Sequence, residues 1–268
     1  MTPKRRAGRA VGSVPAVAWL TALMTVAAGA APPAARGVVT VSAAVSLSEA
    51  LEAVGRAWEQ AGGDTVRFNF AASNVLSRQI VSGAPVDLFV SADDAQMDLA
   101  VRAGAIDVGS RVPLLGNRLA IVTLPGGTGL TDARGLLGPG VRRIAIGDPA
   151  AVPAGVYARQ YLERIGIWDA LQPRLVPVSS VRAALAAVDS GGVDAAFTYV
   201  TDAAAARRAR TALIVTGPDA PRITYPAAIV AAAPHRRAAE RLLAYLRGPA
   251  AAAIFSRSGF QPLAGTGS

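Results

Sequence analysis

The sequence predicts an α/β protein built on mostly parallel sheets with helices on both faces. Three observations carry this expectation. Short apolar runs alternate along the chain with longer amphipathic ones. Glycine, proline and small hydroxyl residues bound the apolar runs, as they do at strand-to-helix turns. And 52% of the 268 residues are hydrophobic, enough to cover sheets on two sides.

Taken in order, 38–41 is a continuous apolar strand, followed by Leu47, Ala50, Leu51, Val54 and Trp58 at helical spacing. In "TVRFNF", Val66, Phe68 and Phe70 alternate with Arg67 and Asn69, the period of a strand with two unlike faces. Leu76, Ile80 and Val81 predict a short helix ended by Gly83, with Pro85 just beyond. "VDLFVSA" (86–92) reads as a buried strand and 97–101 as helix. "LAIVT" (119–123), "RIAIG" (143–147), "RLVPV" (174–178) and "DAAFTYV" (194–200) are further strands, with helices over 156–165 and 181–188. "ITYPAAIVAA" (223–232) is a late strand. Pro226 cannot donate to a ladder, so an edge position is expected for it. Helices over 235–246 and 250–255 follow.

Composition removes several chemistries. With no cysteine there are no disulfides, thiolate metal sites or Cys nucleophile, and no lipid-modified cysteine. One histidine, His235, argues against a His-based metal site or a catalytic triad. The net charge of +9 is uneven: Lys4, Arg5, Arg6, Arg9 and Arg36 carry five of the nine charges, and the first 36 residues hold no acid. The remainder is mixed in sign and poor in aromatics, so no nucleic-acid partner is expected. A basic stretch, a long uncharged run and small residues around Ala28-Gly29-Ala30 give 1–31 the order of a cleaved secretory signal peptide. The Arg5-Arg6 pair is a weak sign of twin-arginine export.

Four strand-to-helix junctions share small or hydroxyl residues at a helix start. They are Ser46-Leu47-Ser48-Glu49, Ala71-Ala72-Ser73-Asn74, the stretch from Asp148-Pro149 to Val152-Pro153-Ala154-Gly155, and Ser179-Ser180-Val181. The first has the S-x-x-E pattern of a capping box, and Ser73 or Asn74 suits an N-cap. Pro153 suits the first turn of a helix and leaves the amides of Ala154 and Gly155 unpaired. Any one of these is an ordinary helix start. Several converging on one cleft make an anion site, because each supplies free N–H groups and a partial positive charge. At ~1.5–3 kcal/mol per charge-assisted bond, four or more reach the ~8 kcal/mol of micromolar binding after costs.

Enzyme readings find less support. There is no G-x-S-x-G, Walker A or G-x-G-x-x-G pattern, and Gly126-Gly127-Thr128-Gly129 reads as a plain loop. A secreted hydrolase using Asp87 or Asp93 is the alternative of a different class; helix capping explains Asp93 and Asp94 more simply. Tyr199, ending a strand, is by default a packed residue whose hydroxyl is available as a donor.

"SAAVSLSEAL", "FNFAASNVLSRQIVSGAPVDLFVSADDAQMD", "IGDPAAVPAGVYARQYL" and "VSSVRAALAAVDSGGVDAAFTYVTDA" together resemble the periplasmic molybdate-binding proteins of ABC importers. The resemblance runs in order from about 38 to 260. It implies a two-lobed, type II periplasmic-binding-protein fold: lobe I from 38–117 plus 224–268, lobe II from 118–223, hinged near 117–119 and 223–225. The ligand would lie in the interlobe cleft. It further implies that Ser46 and Ser73 from lobe I, with Ala154, Val181 and Tyr199 from lobe II, contact the oxygens of molybdate or tungstate without ligating the metal. Asn74 and Val75 depart from the family, where hydroxyl residues are common after the serine. No cofactor is implied, and the protein would be a periplasmic monomer, not a lipoprotein, delivering its anion to a membrane permease. A binder of another tetrahedral oxyanion such as sulfate is the alternative within the class. The Ser46 hydroxyl is expected to cap its helix in an empty site, with Glu49 closing the box, and to turn to the ligand when one is bound.

Overall fold

The computed structural model describes residues 37–127 and 129–263. The expected signal peptide, 1–31, lies outside the described residues.

The chain forms strand β1 (Val38–Ala44), helix α1 (Ser48–Gln60), β2 (Thr65–Ala71), α2 (Ser73–Val81), β3 (Leu88–Val90), α3 (Asp94–Arg102), β4 (Val112–Asn117) and β5 (Leu119–Thr123). It continues through β6 (Ile144–Gly147), α4 (Pro153–Arg164), α5 (Trp168–Leu171), β7 (Leu175–Val178), α6 (Val181–Asp189), β8 (Ala195–Tyr199) and α7 (Val200–Ala204). The last elements are β9 (Arg210–Ile214), β10 (Ile223–Ile229), α8 (Arg236–Leu246), α9 (Pro249–Arg257) and β11 (Gln261–Pro262). The strands make a six-stranded sheet, β11-β4-β10-β3-β1-β2, and a five-stranded sheet, β7-β6-β8-β5-β9.

Both sheets are mixed, so the parallel share is smaller than the strand–helix alternation predicts. β1 pairs in parallel with β2 and β3, and β6 with β7 and β8. The ladders made by β4, β10 and β11 in the first sheet, and by β5 with β8 and β9 in the second, are antiparallel. The antiparallel halves hold the passages between sheets. Only Arg118 separates β4 of the first sheet from β5 of the second, and the chain returns from β9 to β10.

Strand β10 corrects one expectation. It lies between β4 and β3, inside its sheet, so Pro226 is not at an edge. The ladder to β4 instead shifts register between Tyr225 and Pro226. A bulge there tolerates the missing N–H, while the Pro226 carbonyl still accepts from Ser91 N.

Helices cover both faces of each sheet. Leu47, Leu51 and Val54 pack with Leu242, Leu246 and Phe255 on one side of the first sheet. Leu76, Ile80, Met97 and Ala100 meet Phe89, Ala228 and Val230 on the other. Along β6 the side chains alternate: Ile144 and Ile146 pack in the core with Leu162 of α4, whereas Ala145 lies with Leu185 and Val188 of α6. At ~1.5–3 kcal/mol for each fully buried large apolar side chain, these layers hold the parallel strand ends, and the loops leaving them, in place. Among the described residues no helix is long and apolar enough to cross a membrane.

Candidate functional site

The carboxyl ends of the parallel strands of both sheets meet at one cavity. From the first sheet it is lined by Ala44, Val45 and Ser46 after β1, Ala72 and Ser73 after β2, and Ala92 after β3. From the second come Val152, Pro153 and Ala154 after β6, Val181 after β7, and Tyr199 at the end of β8. All five residues singled out from sequence, Ser46, Ser73, Ala154, Val181 and Tyr199, therefore line a single cavity, and each is at most 4% exposed. No Asp, Glu, Lys, Arg or His is among the residues lining it.

Each junction is built from ordinary helix-start physics. Helix α4 opens with Pro153 at its first position, and its first backbone bond runs from Val156 N to Val152 O (2.9 Å). The amides of Ala154 and Gly155 therefore precede any intrahelical acceptor. The chain comes very close to itself here: a Cβ on Gly155 would lie 1.9 Å from the Gly147 carbonyl oxygen, so only glycine lets α4 start against the end of β6. In α6, Ser180 is the N-cap; its Oγ accepts from Ala183 N (3.1 Å) and its carbonyl from Ala184 N (3.1 Å). That leaves the Val181 and Arg182 amides uncommitted within the helix.

The first-sheet serines do not act as caps. A short 3-10 turn, Val45–Leu47, carries the chain from β1 to α1, whose N-cap is Leu47 with no side-chain cap bond. The expected Ser46–Glu49 capping box is absent. The Ser46 Oγ lies 3.2 Å from the Tyr225 Oη, and Glu49 pairs with Arg182. The inserted turn displaces Ser46 from the helix start, so its hydroxyl is not in competition with a capping duty. In α2 the N-cap is Ala72, again without a side-chain bond, and Ser73 is the first helical residue. Its Oγ accepts from the Ala92 amide (2.9 Å), joining the ends of β2 and β3. An accepting hydroxyl keeps its own proton free to donate elsewhere.

Tyr199 stands out. Its ring packs edge-on to Tyr225 at 5.8 Å, and its hydroxyl is buried without a hydrogen-bond partner among the described residues. Burial holds the phenol well above its ordinary pKa, so it carries its proton at any physiological pH. Behind it, the Asn117 Nδ2 donates to the Tyr225 Oη (3.2 Å) and to the Thr201 Oγ1 (2.9 Å), linking the end of β4, β10 and α7. Sequence reasoning placed Asn117 and Tyr225 only in the expected hinge segments and missed their hydrogen bonds behind the site, and it assigned no role there to Gly147 or Ala92. Only the hydroxyl of Tyr225 inside an apolar strand was a legible signal.

The carboxylates considered for hydrolysis are committed elsewhere. Asp87 accepts from Thr40 N (2.8 Å) and His235 N (2.6 Å), with His235 Nδ1 3.2 Å away. Asp93 caps α3 through Gln96 N (2.9 Å). Burial raises its carboxyl to about 6 against the pull of the Gln96 and Ser91 bonds, with Asp94 and Asp98 adding to the rise. Neither lines the cavity. Among the described residues no group of His, Cys, Asp and Glu is placed to hold a metal ion.

Two sheets whose parallel strand ends face one another across a small uncharged cavity define the architecture of a binding protein that encloses its solute. Comparison with known proteins agrees. The model of the bacterial extracellular solute-binding protein family matches residues 39–261, and the chain belongs to that family. It is 39% identical over 235 residues to the molybdate-binding protein ModA of Escherichia coli strain K12, covering 84% of this chain and 89% of that protein. With the ModA of Haemophilus influenzae it shares 32% over 234 residues, covering 85% and 91%. Among solved structures, the periplasmic molybdate-binding protein of Azotobacter vinelandii superposes with a TM-score of 0.73 at 29% identity, covering 83% of this chain and 98% of that one. The sulfate-binding protein SubI of Mycobacterium tuberculosis gives 0.75 at 21% identity, covering 86% and 88%, a likeness of fold.

Proposed function

We propose that this protein captures molybdate, and tungstate by the same geometry, outside the cytoplasm and delivers it to the permease of an ABC importer. The observation that carries the reading is the convergence of six strand-to-helix junctions, three from each sheet, on one cavity without a charged side chain. The relatives named for molybdate binding support the choice of anion.

In this reading Ser46 and Ser73 donate hydroxyl protons and amides, Ala154 and Val181 donate amides, and Tyr199 donates its phenol to the anion's oxygens. Fixed neutral donors suit a fully deprotonated oxyanion, because every contact rewards a lone pair and no carboxylate is at hand to accept a proton from the ligand. The absence of a fixed countercharge keeps release feasible. Capture would follow closure of the halves built on the two sheets, lobe I at 38–117 plus 224–268 and lobe II at 118–223. The hinge would lie where the chain crosses near Arg118 and Ile223. Segment 1–31 would be removed on export, giving a periplasmic monomer without a lipid anchor.

Isothermal calorimetry of the mature chain tests the proposal. Tight binding of molybdate and tungstate, with sulfate and phosphate silent, is the expected result. A preference for sulfate would replace it with a sulfate-type binder.

A further inference from the structure

Outside the cavity, one cluster of charges connects the elements that frame it. Arg182 follows Val181 at the start of α6, and its side chain is 23% exposed. It crosses to α1 on the other sheet, where Nη1 lies 2.9 Å from Glu49 Oε1 and Nη2 lies 2.5 Å from Oε2, a two-pronged fork. On its opposite side Nε lies 2.6 Å from Oδ1 of Asp202, a residue of α7 whose side chain is fully buried. Neither Nε nor the Asp202 carboxyl finds a properly directed hydrogen bond, and burial pushes that carboxyl up to about 7 against the pull of the Arg182 charge. The second contact is therefore a close approach that the guanidinium strengthens when the carboxyl is ionised.

The positions of the three residues are informative. Glu49 lies one turn after Ser46, Arg182 one residue after Val181, and Asp202 one turn after Tyr199. A single guanidinium thus ties together three of the junctions that frame the cavity. Asp202 and Arg182 belong to the second sheet's half and Glu49 to the first.

We propose that Glu49, Arg182 and Asp202 form a clasp that holds the two halves closed over the anion and sets how long it is retained. The inference rests on the oxyanion reading of the cavity. The asymmetry of the triad suits a clasp. Asp202, buried, keeps the guanidinium aimed when the halves part, whereas the Glu49 side chain, 63% exposed, returns to water at small cost. A fully buried cross-link would resist opening, because separation would strand a charge. A half-exposed fork closes firmly and reopens. Arg182, Glu49 and Asp202 are positioning residues here; none lines the cavity.

Glu49→Gln separates the clasp from the rest of the site, and Glu49→Lys serves as a repulsive second variant. Both substitutions sit on an exposed carboxylate and leave the Arg182–Asp202 pair intact. Release of radiolabelled molybdate, chased with excess unlabelled anion, is expected to quicken about fivefold in Glu49→Gln. The effect should be larger in Glu49→Lys, and raised salt should shrink both differences. The chain has no cysteine, so paired spin labels on cysteines introduced at Arg56 and Ala186 report the distance between the halves without any ligand. Both variants should lower the share of short distances. Equal release rates, or identical distance distributions with and without the Glu49 carboxylate, would overturn the clasp. Failure of the unsubstituted protein to hold molybdate, tungstate or sulfate would instead overturn the oxyanion reading, and the distance measurement would still judge the clasp.

Discussion

Replacing Tyr199 with phenylalanine should make the ligand-free protein no less stable while weakening its grip on the anion. The ring is 1% exposed and packs edge-on against Tyr225, contacts that phenylalanine keeps. What disappears is a buried hydroxyl with no partner among the described residues. Holding such a group away from water costs ~1–3 kcal/mol, and its removal returns part of that. At ~2–4 °C per kcal/mol for a chain of this size, the melting temperature without ligand should stay level or rise by several degrees. With molybdate, the lost bond is one to a charged acceptor, worth ~1.5–3 kcal/mol, or roughly a 10- to 150-fold rise in Kd. Calorimetry and thermal melts with and without molybdate read both effects on the same preparation. A fall in the ligand-free melting temperature together with unchanged affinity would refute the reasoning, since it would place the hydroxyl in the fold's hydrogen bonding and outside the site.

Ser73→Ala should behave differently. It strands the buried Ala92 amide, which now donates to Ser73 Oγ at 2.9 Å, so stability without ligand should drop by ~1–3 kcal/mol in urea titration while affinity also falls. Gly155→Ala drives a Cβ to within 1.9 Å of the Gly147 carbonyl oxygen, where no flexible side chain is available to yield. Loss of at least ~3 kcal/mol or of soluble protein is expected, and a wild-type urea midpoint would contradict the close approach. Burial holds Asp93 at about 6 against an ordinary 3.8, so the folded state takes up its proton more readily than the unfolded chain. Its contribution to stability is whole below about pH 4 and is lost as pH rises through about 6, a change on the order of 3 kcal/mol. Asp93→Asn keeps an acceptor for Gln96 N but cannot ionise; urea titrations from pH 4 to 8 should show that slope flattened, and an unaltered slope would assign it to other groups.

The alternation of apolar and amphipathic segments made the α/β class legible, because period and punctuation are local properties. The helix starts at Pro153 and Val181 were legible for the same reason: a proline at the first position and a serine before it act within a few residues. Strands β4 and β9 were passed over. "VPLLGN" and "RTALI" are short and carry glycine, asparagine or arginine, and their strand character comes from partners more than a hundred or about ninety residues away. Pro226 shows the limit of position-by-position reasoning. A proline argues correctly against an uninterrupted central strand, yet a register shift that no local pattern announces reconciles the two. The Ser46 capping box failed in a related way. The S-x-x-E spacing is right for a cap, but a turn of 3-10 helix takes up the residues, and Glu49 finds an arginine 133 positions away.

That failure sharpens how the site works. A cap serine spends its oxygen on an amide of its own helix, and a ligand must then compete for it. Here both serines are freed from that duty by different means. Ser46 is moved off the helix start by the 3-10 turn, and Ser73 sits one position inside its helix with its oxygen facing the amide of a neighbouring strand end. On the second sheet, capping falls to residues beside the ligand positions: Ser180 caps for Val181, and Val152 with Pro153 opens the helix of Ala154. The division separates the groups that stabilise each helix from the groups left for an anion. Binding therefore need not break a bond that the fold depends on, and the helix starts can stay in place when the anion leaves.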